Sequence, residues 1–450
     1  MAECINIHLT PTLPDRRNYK ISVADEVNPA MHIIRIIYYP SVNEYRKVVM
    51  NLEESLARIL PLFYPLAGRY IREQKTVDCN DEGAEFSVAQ LNCLLPVDVA
   101  AVDEPWDPLL AVQINRFVEC GGVAIGICIS HRVFDSTSVA TFVSAWADAA
   151  RRGGVPSIEP DFDMLPSLFP SENLPTLDMG IARDTSDRVG GPAANANIVS
   201  TVGKIFMFDK NLISALRDSV SDTPGWKSSA SGAAQHPPSR VLAVSAVMAQ
   251  AFMRADRAKH GGGPGGSYKR GSVIGQMIDV RERTVPPVPR HACGTWVSSS
   301  YLEHTAEESL ALEHDYPSMI LKLRAANAKV IEDCKRLLSD KEFGRWTMIG
   351  SSIDVIKKIT SPDFNFVWIT DLSKFGCYEL VFGFGKPSWV SLAHLPVNDF
   401  IVLMNTKDND GIEAWVYLHE SDDEEFKDII RNNIIKIDDG GDACDTYSNY

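Results

Sequence analysis

The feature that most constrains the fold is a short apolar strand pattern followed directly by an amphipathic helix pattern. The strand pattern, GVAIGICIS (122–130), alternates isoleucines with small residues, so one face carries bulk and the other leaves room for another chain segment. The helix pattern, STSVATFVSAWADAARR (136–152), repeats apolar residues at i, i+3, i+4 and i+7. The same order occurs upstream in HIIRIIYYP (32–40) and VNEYRKVVMNLEESLARILPLF (42–63). This alternation predicts a mixed α/β fold.

The charge balance restricts the partners of the protein. There are 44 Lys and Arg residues against 59 Asp and Glu residues, which gives a net charge of −15. A negative surface repels nucleic-acid phosphates and anionic lipid headgroups, so we predict neither as a partner. A local basic pocket for one anionic small molecule remains compatible with this charge, because the field of exposed charges is screened beyond roughly 8 Å.

The cysteines and the N-terminus predict the compartment. The nine cysteines are dispersed and include no C-x-x-C pair, which argues for reduced thiols and against a zinc ribbon or a disulfide scaffold. The N-terminal sequence has no apolar core of a signal peptide, and no apolar stretch approaches the roughly 18 residues of a membrane span. We therefore expect a cytoplasmic protein without a metal site.

The length and the local composition predict the domain organisation. At roughly 150 residues per domain, 450 residues correspond to two or three domains. A stretch rich in Gly, Ala, Ser and Pro begins at residue 186 and resembles a crossover between two halves of similar size. We predict an N-terminal domain over 1–185, a linker over 186–203, a C-terminal domain over 204–436 and a disordered acidic tail over 437–450.

The sharpest chemical pattern is SHRVFD (130–135), at the predicted junction of strand and helix. His131 can act as a general base, since imidazole titrates near neutrality and can take a proton from an attacking hydroxyl group. Asp135 either orients the imidazole or points away and pairs with an arginine. As a bare H-x-x-x-D pattern the signal is weak, and a hydrogen-bonded structural histidine is the competing interpretation.

The surrounding sequence resembles the plant BAHD acyltransferase family, whose members use acyl-CoA thioesters. The matching segments cover nearly the whole chain up to the tail and occur in the family's order. They are FYPLAGR (63–69), VDCNDEG (77–83), QINRFVECGGVAIGICISHRVFDSTSVATFVSAWA (113–147), FD with SLFP (162–170), VRER with PPVP (280–289) and YELVFGFGKP (378–387).

This resemblance implies an α/β fold of two domains similar to chloramphenicol acetyltransferase, with a mixed sheet in each half and a channel between the halves. His131 would lie in the middle of the channel, with acyl-CoA entering from one face and the acceptor from the other. It would deprotonate the acceptor for direct attack on the thioester, without a metal or a covalent acyl-enzyme. By the same analogy Asp135 is structural and pairs with Arg281.

Several positions depart from the family pattern. The second signature, usually DFGWG, reads VFGFG (381–385), so Gly383 and Gly385 are kept while Phe384 replaces a tryptophan whose indole N–H could serve an oxyanion. Thr370 lies where relatives commonly have a Ser/Thr-Ser-Trp segment and is our candidate hydroxyl donor to the oxyanion. Lys386 is a weak candidate for a CoA phosphate, with a solvated lysine as the alternative.

The sequence thus predicts an acyl-CoA-dependent O-acyltransferase acting on a hydroxylated plant specialised metabolite, an alkaloid or a terpenoid. Acetyl-CoA is the expected donor and co-substrate, no cofactor is bound, and a monomer is expected from the family. The competing hypothesis keeps the scaffold and His131 but assigns them elimination or another reaction without an acyl donor. It is motivated by the altered second signature.

Overall fold

A computed structural model describes residues 3–7, 18–89, 94–172, 174, 201–221, 223, 226, 236–261, 268–349, 361–395 and 397–437. Over these ranges the chain forms two six-stranded sheets, each with parallel and antiparallel neighbours, and a small three-stranded sheet. Helices cover the large sheets. The predicted α/β class with a mixed sheet in each half is confirmed.

The first large sheet contains the strand pattern that precedes His131. Its strands lie in the order β1-β6-β7-β8-β3-β13, with only the β6–β7 pair parallel. These strands are β1 (Glu3–Ile7), β3 (His32–Tyr39), β6 (Ala84–Ala89), β7 (Leu110–Arg116), β8 (Val123–Ser130) and β13 (Trp389–Ser391).

The second large sheet lies in the C-terminal half. Its order is β11-β10-β12-β14-β15-β9, and β10, β12 and β14 run parallel to one another. Its strands are β9 (Thr201–Phe208), β10 (Gly271–Asp279), β11 (Val297–His304), β12 (Phe364–Asp371), β14 (Phe400–Asn405) and β15 (Ile412–His419). The small sheet contains β2 (Asn18–Lys20), β4 (Arg69–Ile71) and β5 (Thr76–Asp78).

Two helices cover the first sheet and the others lie mainly in the C-terminal half. They are α1 (Val23–Glu26), α2 (Tyr45–Ile59), α3 (Ser136–Arg152), α4 (Met164–Leu168), α5 (Lys210–Ser221), α6 (Arg240–His260), α7 (Ala306–Leu312), α8 (Tyr316–Cys334), α9 (341–349) and α10 (Asp423–Ile437). The helix patterns noted in the sequence correspond to α2 and α3, which pack against each other in the first core. In the other half, α6 packs against α8, α10 and β12.

The small face of β8 has the close neighbour that its sequence predicts. A Cβ atom added at Gly126 would lie 2.0 Å from the backbone oxygen of Leu94, so only glycine allows this segment to approach. Every residue of β8 is buried. The strand that leads to His131 is therefore fixed from both faces.

The domain boundaries need three corrections. Trp389–Ser391 pair with β3 and complete the edge of the first sheet, although we assigned them to the C-terminal domain. The sequence predicts a linker that ends at residue 203, but β9 begins at Thr201. The predicted tail starts at residue 437, which still belongs to α10. Residues 186–200 of the linker and 438–450 of the tail lie outside the described residues.

Candidate active site

A cavity of about 690 Å³ lies between the two halves of the chain. The N-terminal half contributes the end of α1, the start of β3 and the turn after β8. The C-terminal half contributes alternate residues of β11, most of β12 and residues 392, 395 and 397–400. Its lining includes His131, Asp135 and Thr370 of the predicted site residues. A space of this volume is typical of small-molecule sites.

The backbone of His131 is fixed on both sides by hydrogen bonds. Its N–H donates to the Met31 oxygen at 2.9 Å, and its own carbonyl accepts the Asn28 side-chain amide at 2.7 Å. The next residue, Arg132, forms a two-pronged ion pair with Asp103 and donates to the Asn28 backbone oxygen at 2.7 Å. The turn is therefore rigid at the point where the imidazole enters the cavity.

The imidazole of His131 is held in its neutral form near pH 7. Burial lowers its pKa below the usual 6.5, although the backbone carbonyl groups of His131 and Phe134 and the carboxylate of Asp135 act in the opposite direction. Of the two ring nitrogens, Nδ1 is fully buried. Nε2 is thus the nitrogen available to a molecule in the cavity, and it can accept a proton.

This direction of the pKa shift sets the expected pH dependence of any reaction that uses His131 as a base. The base works while it is neutral, so the rate should be at its plateau at pH 7 and fall only as pH drops through the lowered pKa, below 6.5. Measuring kcat/KM between pH 4.5 and 8 in a buffer of constant ionic strength follows this fall in rate, the acidic limb of the pH profile. An inflection above pH 7 would contradict the assignment.

Asp135 forms no hydrogen bond to the imidazole. It caps the N-terminus of α3 and pairs with Arg281. Its Oδ1 accepts the backbone N–H and the hydroxyl of Ser138, both at 2.8 Å, and its Oδ2 accepts Arg281 Nη1 at 2.7 Å. Burial alone would raise the pKa of Asp135, but the Arg281 guanidinium and these hydrogen bonds hold it below its usual value. Of the two interpretations left open by the sequence, the arginine pair is the one present.

Arg281 connects this turn to the loop that follows the proline-rich segment. Its side chain is 1% exposed and donates to the backbone oxygens of Ala292 at 3.1 Å and Gly294 at 2.9 Å, in addition to the pair with Asp135. A second carboxylate, that of Asp279, lies 3.3 Å from Nη1. The guanidinium thus ties α3, β10 and the 292–294 loop into one hydrogen-bonded network beside the cavity.

Thr370 reaches the cavity, whereas Phe384 does not. Thr370 lies near the end of β12, in the wall that also contains Thr295 and Leu372. Phe384 is absent from the lining that the described residues form, and its ring packs on Tyr39 with a centroid separation of 4.8 Å. The sequence predicts Phe384 as a channel or oxyanion residue, whereas in this structure its ring packs against Tyr39 at the end of β3.

The rest of the second signature has a structural position. Gly383 and Gly385 have φ angles of +102° and +114°, so the turn needs glycine at both places, as expected. Lys386 is largely exposed and pairs with Glu379 at 2.6 Å. Lys386 is also not part of the lining formed by the described ranges, which matches the solvated alternative.

Three residues near His131 were missed at the level of sequence. Asn28 donates to Thr295 Oγ1 as well as to His131, and the Thr295 N–H donates to Asp25 Oδ1 at 2.7 Å. Burial raises the pKa of Asp25 to about 6. Asp25, Asn28 and Thr295 stand in no recognisable motif, and their contacts join segments that lie far apart in the chain.

Comparisons with known proteins match this chain over nearly its full length. The family model described as Transferase family matches residues 9–432. A pelargonidin 3-O-(6-caffeoylglucoside) 5-O-(6-O-malonylglucoside) 4'''-malonyltransferase from Salvia splendens is 33% identical over 93% of this chain and 94% of that protein. Stemmadenine O-acetyltransferase from Catharanthus roseus is 30% identical over 92% of each chain.

The solved structures agree with the sequence comparisons. The crystal structure of vinorine synthase has a TM-score of 0.76 and 27% identity, covering 97% of this chain and 98% of that chain. F. sporotrichioides TRI101 complexed with coenzyme A and T-2 has a TM-score of 0.65 at 17% identity, covering 91% of this chain and 97% of that chain, a likeness of fold alone. Within the described ranges, no helix combines the length and hydropathy needed to cross a bilayer.

Proposed function

The chain belongs to the Transferase family of BAHD acyltransferases, which use acyl-CoA, and from this premise we propose that it acylates a hydroxyl group of a plant specialised metabolite with His131 as the base. The observation that carries the proposal is the position of His131. Its backbone is fixed by Met31 and Asn28, its imidazole is neutral near pH 7, and it lines a cavity of about 690 Å³.

The proposed reaction needs one base and one site for developing negative charge. Nε2 of His131 takes the proton of the acceptor hydroxyl while its oxygen forms a bond to the thioester carbonyl carbon. The tetrahedral intermediate then collapses, the carbon–sulfur bond breaks, and the imidazolium returns its proton to the CoA thiolate. The products are the acylated acceptor and free CoA, with His131 restored to its neutral form.

Thr370 is the proposed donor to the oxyanion. Thr370→Val, which keeps the shape and removes the hydroxyl, should lower kcat by up to about 10²–10³-fold, the range measured for loss of one oxyanion donor, with little change in KM. Thr370→Ser keeps the donor and should retain most of the activity. Equal loss in both variants would assign Thr370 a packing role instead.

The donor and the acceptor are proposed from the relatives. Stemmadenine O-acetyltransferase and a limonoid 21-O-acetyltransferase favour acetyl-CoA and an alkaloid or terpenoid alcohol, as we expected from the sequence. The Salvia splendens protein is named as a malonyltransferase, so malonyl-CoA is the second donor to test. We propose acetyl transfer as the first choice.

The test combines purified protein with either CoA thioester and a polar extract of plant tissue. Release of free CoA and the mass of new products are followed, with the acyl group labelled in its carbonyl carbon. Labelled products formed by the wild type and not by His131→Ala would support the proposal and identify donor and acceptor together. A His131-dependent change of a metabolite with no thioester added would support the competing hypothesis of a reaction without an acyl donor.

No observation among the described residues favours that competing hypothesis. Its motivation was the loss of the tryptophan at Phe384, and Phe384 packs on Tyr39 away from the cavity lining. The altered signature therefore gives no reason to expect altered chemistry at His131.

A further inference from the structure

Arg35 is a buried cation in the wall of the catalytic cavity. It lies on β3 and is 8% exposed. It lines the main cavity and also a small cleft of about 20 Å³ next to it, and Ser136 and Phe375 line both spaces as well. Arg35 thus lies where the two spaces meet, between β3, the start of α3 and the segment that follows β12.

The protein neighbours of Arg35 are neutral near pH 7. Its Nη1 donates to the backbone oxygen of Ile34 at 2.6 Å, its side chain also hydrogen-bonds the Cys377 side chain, and Tyr417 is the other ionisable side chain close to it. Burial raises the pKa of the Cys377 thiol and of the Tyr417 hydroxyl, so neither carries a negative charge at this pH. Burial also lowers the pKa of Arg35 itself, but a guanidinium stays protonated in proteins.

The other buried arginines near the site have carboxylate partners. Arg281 pairs with Asp135 at 2.7 Å and Arg132 with Asp103 at 2.8 Å. Arg35 forms no ion pair with a carboxylate in the part of the chain that the structure describes, and none is among the groups that act on its pKa. The buried carboxylate of Glu413 acts on Cys377, the neighbour of Arg35, but is not paired with Arg35. It accepts hydrogen bonds from the Tyr378 hydroxyl at 3.0 Å and the Trp415 indole N–H at 3.3 Å.

A buried charge without a counter-charge destabilises a fold, and it persists where function requires it. We propose that Arg35 binds a carboxylate of the substrate, so that the reaction is selective for a carboxylate-bearing reactant. The planar guanidinium suits a carboxylate because it can donate two parallel hydrogen bonds to it. The inference rests on the proposed acyl transfer and adds a substrate class to it.

The carboxylate can come from either reactant. A dicarboxylic acyl group on CoA carries a free carboxylate beyond the thioester, whereas an acetyl donor leaves the carboxylate to the acceptor. The experiment separates the two sources with defined probes. For the donor, acetyl-CoA, which lacks a carboxylate on its acyl group, is compared with malonyl-CoA and succinyl-CoA, which carry one. For the acceptor, the probes are quinate and caffeate in the presence of CoA.

Binding of each probe is measured by calorimetry on wild type, Arg35→Met, Arg35→Lys and the control Arg217→Met. Arg217 also donates to a backbone oxygen, that of Pro238 at 2.6 Å, but lies outside the cavity lining. We expect the probes of one class to bind the wild type and Arg217→Met at least about tenfold more tightly than they bind Arg35→Met. This is the effect expected for the loss of one hydrogen bond to a charged group. Arg35→Lys should recover part of the lost affinity for these probes, and acetyl-CoA should bind all four proteins with the same affinity.

Thermal unfolding gives a second readout that a structural arginine would not produce. Since Arg35→Met removes an unpaired buried charge, its melting temperature should equal or exceed that of the wild type. If Arg35→Met does not fold, the inference is wrong, because Arg35 is then a structural residue. The same holds if it folds and no carboxylate probe distinguishes it from the wild type. Failure of the wild type to bind any CoA thioester would instead overturn the proposed acyl transfer.

Discussion

Replacement of His131 by alanine is expected to lower kcat/KM for acyl transfer by about 10²–10⁴-fold, the usual contribution of a positioned general base. The effect should fall on kcat, since the imidazole takes the proton as the carbon–oxygen bond forms and contributes little to ground-state binding. CoA should bind the variant with unchanged affinity, because the backbone contacts of residue 131 to Met31 and Asn28 do not involve the imidazole.

The measurement is steady-state release of CoA with the acceptor identified by mass spectrometry. His314→Ala is the matched control, because the His314 side chain is 61% exposed and lies outside the cavity lining. This control should retain wild-type kinetics. The acidic limb of the pH profile should disappear in His131→Ala, leaving a small residual rate without that inflection. Retained turnover with the limb intact would assign the proton transfer to another group.

The local part of this site could be predicted from the sequence. Alternation in β8 and the helical repeat in α3 fix a strand-to-helix junction, and His131 and Asp135 stand at that junction because the pattern changes there. The left-handed turns at Gly383 and Gly385 follow from the two glycines. In each case, the signal lies within about ten residues of the feature it predicts.

The parts that escaped prediction depend on contacts between distant segments. Trp389–Ser391 complete the first sheet beside β3, and three residues of strand pattern do not say which sheet they join. Asn28 contacts His131 across 103 residues of sequence. Arg35 interrupts a largely apolar run, HIIRIIYY, and a single charged residue in a strand usually marks its solvent face. Only the tertiary structure reveals that both faces of β3 are buried at this point.

The Asp135–Arg281 pair is expected to dominate the stability of the turn that carries His131. Asp135→Asn keeps the size of the side chain and its ability to cap α3, but leaves Arg281 buried at 1% exposure with its principal counter-charge removed. Breaking a buried ion pair from one side costs about 3–5 kcal/mol. A loss of this size in the free energy of unfolding is expected, together with lower kcat, because Arg281 also ties the loop at Gly294 to α3.

Urea unfolding followed by tryptophan fluorescence measures the effect, with circular dichroism to test whether one transition is sufficient. Lys386→Met breaks the exposed pair with Glu379 and should cost only about 0–1 kcal/mol. The double variant Asp135→Asn with Arg281→Met should be less destabilised than the sum of the two single changes, since it removes the uncompensated charge as well. If the losses in the free energy of unfolding add exactly, the two side chains act independently. The pair would then not be what stabilises the turn that carries His131.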